Sequence, residues 1–197
     1  MKPFRKVTGP AAPLDRVDVD TDQIIPKQFL KRIEKSGYGD FLFFDWRYLD
    51  DGTPDPDFVL NREPFDEAPI LLAGRNFGCG SSREHAAWAL ENFGIRAVVA
   101  TSFADIFQSN CYQNGLLPVT LPEEQIRHLM ERAEADPAYR VTIDLENNTI
   151  SDGQGFETAF EVDPFRRNSL LEGLDDIDMT LRDLDSILAF EDTREYR

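Results

Sequence analysis

The sequence is poor in cysteine, in basic residues and in long apolar runs. It holds two cysteines in 197 residues, so a disulfide framework is not expected and a reducing cytoplasm fits. No uninterrupted apolar run approaches the roughly 20 residues of a membrane span, and residues 1–5 lack the apolar stretch of a secretion signal. A net charge of −16 argues against nucleic acid as a main partner, because phosphate contacts need a basic surface.

The length suits one domain with an appendage, and an apolar content of 41% is enough for a core. We predict that the domain spans residues 1–170 and that residues 171–197 form an acidic, amphipathic C-terminal helix and tail. For this helix, packing on the core and docking on a partner are both open. Its apolar residues recur at helical spacing among acidic ones: Leu174, Ile177, Leu181, Leu184, Ile187 and Leu188.

The middle of the chain alternates strand and helix patterns. This order predicts an α/β fold with a partly parallel sheet and right-handed crossovers, followed by a hairpin, a further strand and a helix. The predicted strands are Ile70–Ala73, Ala97–Ala100, Leu117–Leu121, Arg140–Leu145, Thr149–Ser151 and Phe156–Val162. The predicted helices are Arg83–Phe93, Phe103–Tyr112, Glu123–Ala135 and Pro164–Glu172.

The most informative segment is the glycine-rich stretch from Gly74 to His85, which lies between a predicted strand and a predicted helix. Free N–H groups at a helix start, together with the helix dipole, favour an anion there. Ser81 and Ser82 add hydroxyl groups, and Arg83 adds a planar guanidinium that matches a carboxylate. The segment therefore predicts a pocket for a small carboxylate or phosphate.

Three familiar glycine motifs are excluded in this segment. The nucleotide-hydrolase loop needs a Gly-Lys pair, which is missing after both Gly74 and Gly78. The dinucleotide fingerprint fails because Arg83 takes the place of its last glycine. The hydrolase elbow fails because Glu84 stands where its second glycine is required, and no histidine is placed as a base.

The segment closely resembles the serine-arginine signature of the swivelling domain in the aconitase superfamily. Within that superfamily it is most similar to the small subunits of 3-isopropylmalate dehydratase. Residues 20–26 (DTDQIIP) resemble an early segment of these proteins, and residues 100–118 resemble their S-F-A-x-I-F…N…N-G-L-L-P run. The resemblance covers roughly residues 1–170 and implies a swivelling β/β/α domain, with a partly parallel sheet flanked by helices.

The resemblance also implies a reaction, in which a 2-hydroxy acid is dehydrated to an alkene and rehydrated with the hydroxyl on the neighbouring carbon. The leucine-pathway substrates would be 2-isopropylmalate and 3-isopropylmalate. In this family the first serine of the pair is the base, so Ser81 is the candidate base, and Arg83 would hold a substrate carboxylate while Ser82 hydrogen-bonds it. The alternative is that the two serines only cap the helix.

The family carries a 4Fe-4S cluster held by three cysteines. Cys79 and Cys111 are far apart in sequence and form no close-spaced pair, so no metal ligand is expected in this chain. The resemblance then implies a separate large subunit that carries the cluster. This chain would be a lid that bears half of the active site and is active only with that partner.

Two further segments are candidates for substrate contact. Thr21 and Asp22 match family positions near the active site, and Asp22 would orient Arg83 or a partner group; an ordinary turn or helix cap is the alternative. Residues 28–38 would form a short helix or a mobile loop that selects the substrate. There Leu30 would accept an isopropyl group, whereas the adjacent Lys31 and Arg32 leave a carboxylate on the substrate open.

Other functions remain open on sequence alone. A small subunit for a related substrate, of the homoaconitase or methylmalate type, would differ mainly in residues 28–38. A non-catalytic module that binds a carboxylate and regulates a partner is a further alternative. Weak ligand binding without turnover, even beside a large subunit, would distinguish that module from an enzyme.

Overall fold

A computed structural model describes residues 1–31 and 35–193 and places their strands in two four-stranded sheets. The parallel sheet has the order β2-β3-β4-β5, and the antiparallel sheet has the order β1-β6-β7-β8. The strands are β1 (Lys6–Gly9), β2 (Ala11–Leu14), β3 (Ile70–Ala73), β4 (Ala97–Ala100), β5 (Leu117–Thr120), β6 (Val141–Asp144), β7 (Thr149–Ser151) and β8 (Glu157–Ala159).

The parallel sheet is buried on both faces. All residues of β2, β3 and β4 are buried, as expected of continuous apolar strands covered by helices. Its two prolines, Pro13 and Pro118, lie in β2 and β5, which are the edge strands. Edge positions tolerate proline because no inner ladder needs its missing N–H.

The predicted β-α-β-α-β order is confirmed, with element ends shifted by one or two residues. The first three long helices alternate with the parallel strands, and α5 packs on β2, β3 and β4. None of the helices in the described ranges is long and apolar enough to cross a membrane. The helices are α1 (Thr21–Ile24), α2 (Phe44–Arg47), α3 (Glu84–Phe93), α4 (Asp105–Gln113), α5 (Glu123–Ala135), α6 (Pro164–Glu172), α7 (Asp176–Arg182) and α8 (Leu184–Asp192).

The antiparallel sheet joins the two ends of the main domain. The predicted hairpin is present as β6 and β7, and β1 pairs with β6 over Lys6–Gly9. The strand predicted at Phe156–Val162 is present but shorter, at Glu157–Ala159. The mixed α/β architecture with a parallel sheet flanked by helices is therefore confirmed.

The C-terminal segment differs from the predicted single helix. It forms two helices, α7 and α8, which meet at Asp183. Asp183 has φ −96° and ψ 11°, outside the helical range, and aspartate is a weak helix former, so the helix is interrupted there. A periodicity of apolar residues continues across such a break and does not reveal it. Apolar side chains of both helices are exposed, with Ile177 at 70%.

Candidate active site

Three loops that follow neighbouring parallel strands lie side by side at one edge of the sheet. The carboxyl ends of parallel strands meet there, which is where α/β proteins place ligand sites. The loop after β2 bonds to the loop after β3 through Asp18 N to Arg75 O (2.9 Å) and Gly78 N to Val19 O (2.8 Å). Ser102, after β4, accepts from Phe77 N at 3.0 Å. The glycine-rich stretch after β3 is thus hydrogen-bonded to the loop after β2 on one side and to the loop after β4 on the other.

Two glycines in this stretch hold conformations that other residues rarely adopt. Gly78 has φ +77°, and a Cβ there would stand 2.1 Å from Phe107 Cγ. Gly80 has φ +88°, and its Cβ would stand 3.3 Å from Asp20 Cβ. Glycine lets the backbone take positive φ and approach its neighbours closely. The loop can therefore lie flat against Phe107 and against Asp20.

Thr21 and Asp22 lie directly against the serine-arginine loop. Asp20, not Thr21 or Asp22, is the N-cap of α1, and Gln23 completes a capping box with it. Thr21 is 2% exposed and donates its hydroxyl to the carbonyl oxygen of Ser81 at 2.8 Å. The alternative that these two residues cap a helix is therefore wrong; they lie in the first turn of α1, and both also contact the serine-arginine loop.

Ser81 and Ser82 are both exposed, and neither caps α3. The N-cap of that helix is Arg83, in extended conformation, and no side chain within the described residues makes a capping bond to the helix start. The capping alternative is thus wrong. An uncapped helix start keeps its N–H groups for a ligand and directs the positive end of its dipole there.

Arg83 is held by an ion pair with Asp22. Its guanidinium NH1 donates to Asp22 Oδ1, and the side chains are 12% and 34% exposed. Lys27 approaches the other carboxylate oxygen of Asp22 at 3.3 Å. The hydrogen bond from Arg83 lowers the pKa of Asp22, with a smaller contribution from Lys27. Asp22 stays ionised at neutral pH and holds Arg83 next to the serine pair.

Leu30 and Lys31 follow a 3-10 helix at Lys27–Phe29. Phe29 of this helix packs against the core. The ring of Phe29 stacks on Phe41 at 4.1 Å. Leu30 is partly buried and packs against the core, whereas Lys31 is exposed. Part of the predicted recognition segment, residues 32–34, lies outside the described residues.

Neither cysteine is suited to hold an iron-sulfur cluster. Cys79 donates its thiol to Asp18 O at 3.3 Å, and burial, with Asp20 and Asp18 nearby, raises its pKa. Cys111 is fully buried in α4, which raises its pKa well above the usual range. Cluster ligands are thiolates, and the described residues hold no group of three His, Cys, Asp or Glu side chains that suits a metal. A cluster does not fit these residues.

Sequence reasoning missed two residues of this site. Asp20 fixes α1, and its pattern D-x-x-Q before an apolar pair is a capping box that could have been recognised. Lys27 carried no signal, because its contact with Asp22 depends on how the turn after Pro26 folds back.

The fold and this site define a class of protein. A family model described as the aconitase C-terminal domain matches residues 1–124, more than half of the chain, and a second model, described as LeuD_N, matches residues 127–164. The chain belongs to the aconitase C-terminal domain family, and within it to the 3-isopropylmalate dehydratase small subunits, on the evidence of the relatives given next.

Two curated relatives carry that name over nearly the whole chain. The 3-isopropylmalate dehydratase small subunit of Rhodopirellula baltica is 60% identical, covering 98% of this chain and 100% of the relative. That of Brevibacillus brevis is 57% identical with the same coverage. A crystal structure of 3-isopropylmalate dehydratase from Methanocaldococcus jannaschii is 28% identical with a TM-score of 0.66, covering 94% of this chain and 99% of that one. The resemblance drawn from the sequence is confirmed.

Proposed function

We propose that this chain is the small subunit of a 3-isopropylmalate dehydratase and supplies one half of an active site that a large subunit completes. The observation that carries the proposal is the exposed serine pair at an uncapped helix start, beside an arginine held by Asp22. The names of the relatives support the substrate and the existence of a larger partner. A substrate of the homoaconitase or methylmalate type is not favoured by those names.

The proposed reaction has two half-steps, a dehydration and a rehydration of opposite regiochemistry. In dehydration, a base takes a proton from the carbon next to a carboxylate, the C–H electron pair becomes the second bond of the alkene, and the hydroxyl leaves the neighbouring carbon. Rehydration adds the hydroxyl and the proton to the opposite carbons. This chain supplies the base and the grip on the carboxylate.

Ser81 is the proposed base. A serine hydroxyl is a weak acid, so its alkoxide needs strong local stabilisation. Free N–H groups at the start of α3 and the guanidinium of Arg83 would provide it once a partner excludes water. Arg83 would also hold the substrate carboxylate, with Ser82 as a hydrogen-bond donor, while Thr21 and Asp22 fix the loop and the guanidinium.

Leu30 and Lys31 are the proposed contacts for the part of the substrate that varies between relatives. Leu30 would pack against the isopropyl group, because its side chain is apolar and only partly buried by its contacts with the core. Lys31 is free of core packing and would face a carboxylate of the same substrate.

The partner is proposed to be a large subunit that carries the 4Fe-4S cluster, since residues 1–31 and 35–193 offer no group of ligands to hold one. Departure of the hydroxyl is assigned to that subunit. Residues 1–170 would form the swivelling domain, and residues 171–197 the acidic appendage. Free thiols at Cys79 and Cys111 are consistent with action in the cytoplasm.

Anaerobic turnover of 3-isopropylmalate, followed by the ultraviolet absorbance of the alkene, tests the proposal. The assay compares this chain alone, a cluster-loaded large subunit alone, and both together. We expect activity only in the mixture, and a loss of about 10²- to 10⁴-fold in kcat with Ser81→Ala. Ser151→Ala, a serine in β7 on the other sheet, is the control and should retain wild-type activity.

Two outcomes would contradict the proposal. An inactive mixture with an intact cluster would reject 3-isopropylmalate as substrate. Full activity of the Ser81→Ala complex would leave the enzyme assignment in place and reject Ser81 as the base.

A further inference from the structure

The carboxylate of Glu84 is a junction between three parts of the molecule. Glu84 is the first residue of α3 and directly follows Arg83. Its Oε1 accepts from Trp88 Nε1 at 3.1 Å and from Asn114 Nδ2 at 3.1 Å. Lys35 Nζ approaches the same oxygen at 3.9 Å and lies over the ring of Trp88 at 4.9 Å. The recognition segment, α3 and the end of α4 therefore meet at one side chain.

Asn114 is the member of this junction that comes from another helix. It is the C-cap residue of α4, and its amide also donates to Asn110 O at 2.8 Å. Its Oδ1 accepts from Trp88 Nε1 at 3.0 Å. Because donors and acceptor are all used, the Asn114 side chain has one fixed orientation and ties the end of α4 to the start of α3.

Two contacts from α1 hold the serine-arginine loop. Thr21 bonds Ser81 O, and Asp22 pairs with Arg83. Buried Ala86, Ala87, Ala89 and Leu90 hold α3 itself in place, so the orientation of its half-buried first turn is what an added restraint would fix. The bond from Asn114 to Glu84 supplies that restraint at the residue next to Arg83.

We propose that Asn114, acting through Glu84, is a positioning residue that sets the placement of Ser81 and Arg83. The inference rests on the proposed function for its catalytic consequence, but the placement itself is a property of this chain alone. It also gives a role to the N-G-L-L-P run, whose first residue is Asn114 and to which the reaction assigns no task.

The decisive variant is Asn114→Asp, which keeps the shape and replaces the donating amide by a second carboxylate against Glu84. Asn147→Asp is a matched control, because the Asn147 amide donates to the Asp144 carboxylate at the same 3.1 Å in the hairpin of the other sheet. Each variant sets one carboxylate against another. Only Asn114→Asp does so beside the loop.

We expect Asn114→Asp to lower kcat about tenfold or more in the complex with the large subunit, since displacements near 1 Å cost up to about 10²-fold. KM and the affinity for the large subunit should change less than about twofold. The deficit should shrink as pH falls, because two adjacent carboxylates share a proton more readily and then regain a donor. Asn147→Asp should show neither effect.

Glu84→Gln and Glu84→Ala provide a second test that does not depend on Asn114 folding correctly. The amide oxygen of glutamine still accepts from Trp88 and Asn114, so Glu84→Gln should retain most of the activity, whereas Glu84→Ala should lose about as much as Asn114→Asp. Equal losses in both Glu84 variants would overturn the positioning role. So would a kcat for Asn114→Asp equal to that of Asn147→Asp.

An NMR measurement on the full chain without partner separates this inference from the proposed function. The side-chain Nε–H signal of Arg83 and the amides of residues 81–84 should shift and exchange faster in Asn114→Asp, but not in Asn147→Asp. Unchanged signals would reject the inference even if turnover fell. An inactive wild-type complex with these shifts present would reject the proposed substrate and keep the positioning role.

Discussion

Asp22 of α1 and Arg83 at the N-cap of α3 form an ion pair across 61 residues of sequence. The pair fixes the guanidinium of the residue that directly follows Ser81 and Ser82. Both side chains are partly exposed, so the ion pair contributes little to the free energy of unfolding. Its main effect is to fix the direction of the Arg83 guanidinium. In the proposed function, Arg83 would hold a substrate carboxylate, and the pair with Asp22 would orient its guanidinium beforehand.

Replacing the carboxylate should therefore affect catalysis more than folding. We expect Asp22→Asn to lower kcat/KM for 3-isopropylmalate by about 10- to 100-fold, as the guanidinium loses its charged anchor. Thermal unfolding should shift by less than about 3 °C. Glu134→Gln, which breaks the exposed pair with Arg62, is the control and should keep full turnover. A wild-type kcat/KM for Asp22→Asn would exclude a role in orienting Arg83.

The hydroxyl of Thr21 should stabilise the serine loop. Thr21→Val keeps the shape but removes the donor to Ser81 O, and a lost buried hydrogen bond costs about 1 kcal/mol, or roughly 2–4 °C in Tm at this size. Activity at saturating substrate should fall with it. Thr21→Ser restores the donor and should recover most of the lost activity. Turnover assays measure the activity of both variants, and calorimetry measures their Tm. No difference between the valine and serine variants would argue against the bond.

Gly78 should be far less tolerant of a methyl group than a glycine of similar backbone conformation. Gly153 has φ +68° with nothing within 4 Å of its Cβ position, so Gly153→Ala should cost only the positive-φ strain, about 1 kcal/mol. Gly78→Ala adds a clash with Phe107, so its total cost should reach about 2–4 kcal/mol. Urea unfolding of both variants measures the difference. Equal costs would mean that Phe107 moves aside.

Leu30 should set the choice of substrate side chain. We expect Leu30→Arg to lower kcat/KM for 3-isopropylmalate about tenfold or more, because a charge would replace an apolar contact to the isopropyl group. Leu30→Met preserves the apolar volume and should remain within about threefold of wild type. Melting curves confirm that the core contacts of Leu30 survive. If Leu30→Arg turned over 3-isopropylmalate normally, the residue would not contact the isopropyl group.

His85 should make the stability depend on pH. Burial lowers its pKa from 6.5, with Glu84 raising it and Arg83 lowering it further, and its ring packs on Trp88 at 4.6 Å. Below about pH 6.5 the unfolded chain binds a proton that the folded chain does not, so the unfolding free energy falls as pH falls. His85→Gln should flatten this slope between about pH 7.5 and 5.5 in urea titrations.

The exposed His128 on α5 provides the control for that measurement. His128→Gln makes the same chemical change outside the loop region and is measured in parallel, so that a general effect of replacing a histidine can be subtracted. A slope unchanged by His85→Gln would show that another group controls the pH dependence.

The sequence by itself determined the alternation of strands and helices in the middle of the chain. Runs such as Ile70–Ala73 and Ala97–Ala100 are apolar, short and bounded by turn residues, so their state depends on local signals. The glycine-serine-arginine stretch could also be recognised from the sequence, because the order of its residue types matches a family signature without any knowledge of the contacts around it. Family membership followed from the same residues.

Only the tertiary structure decided which residues meet. The parallel pairing of β2 with β3 brings Asp22 to Arg83 and Thr21 to Ser81, and the packing of α4 brings Asn114 to Glu84. The break between α7 and α8 at Asp183 likewise could not be predicted from the spacing of the apolar residues. The physical reason is that local propensity fixes the state of a segment, whereas contacts between segments depend on strand order and packing, which no short window of sequence contains.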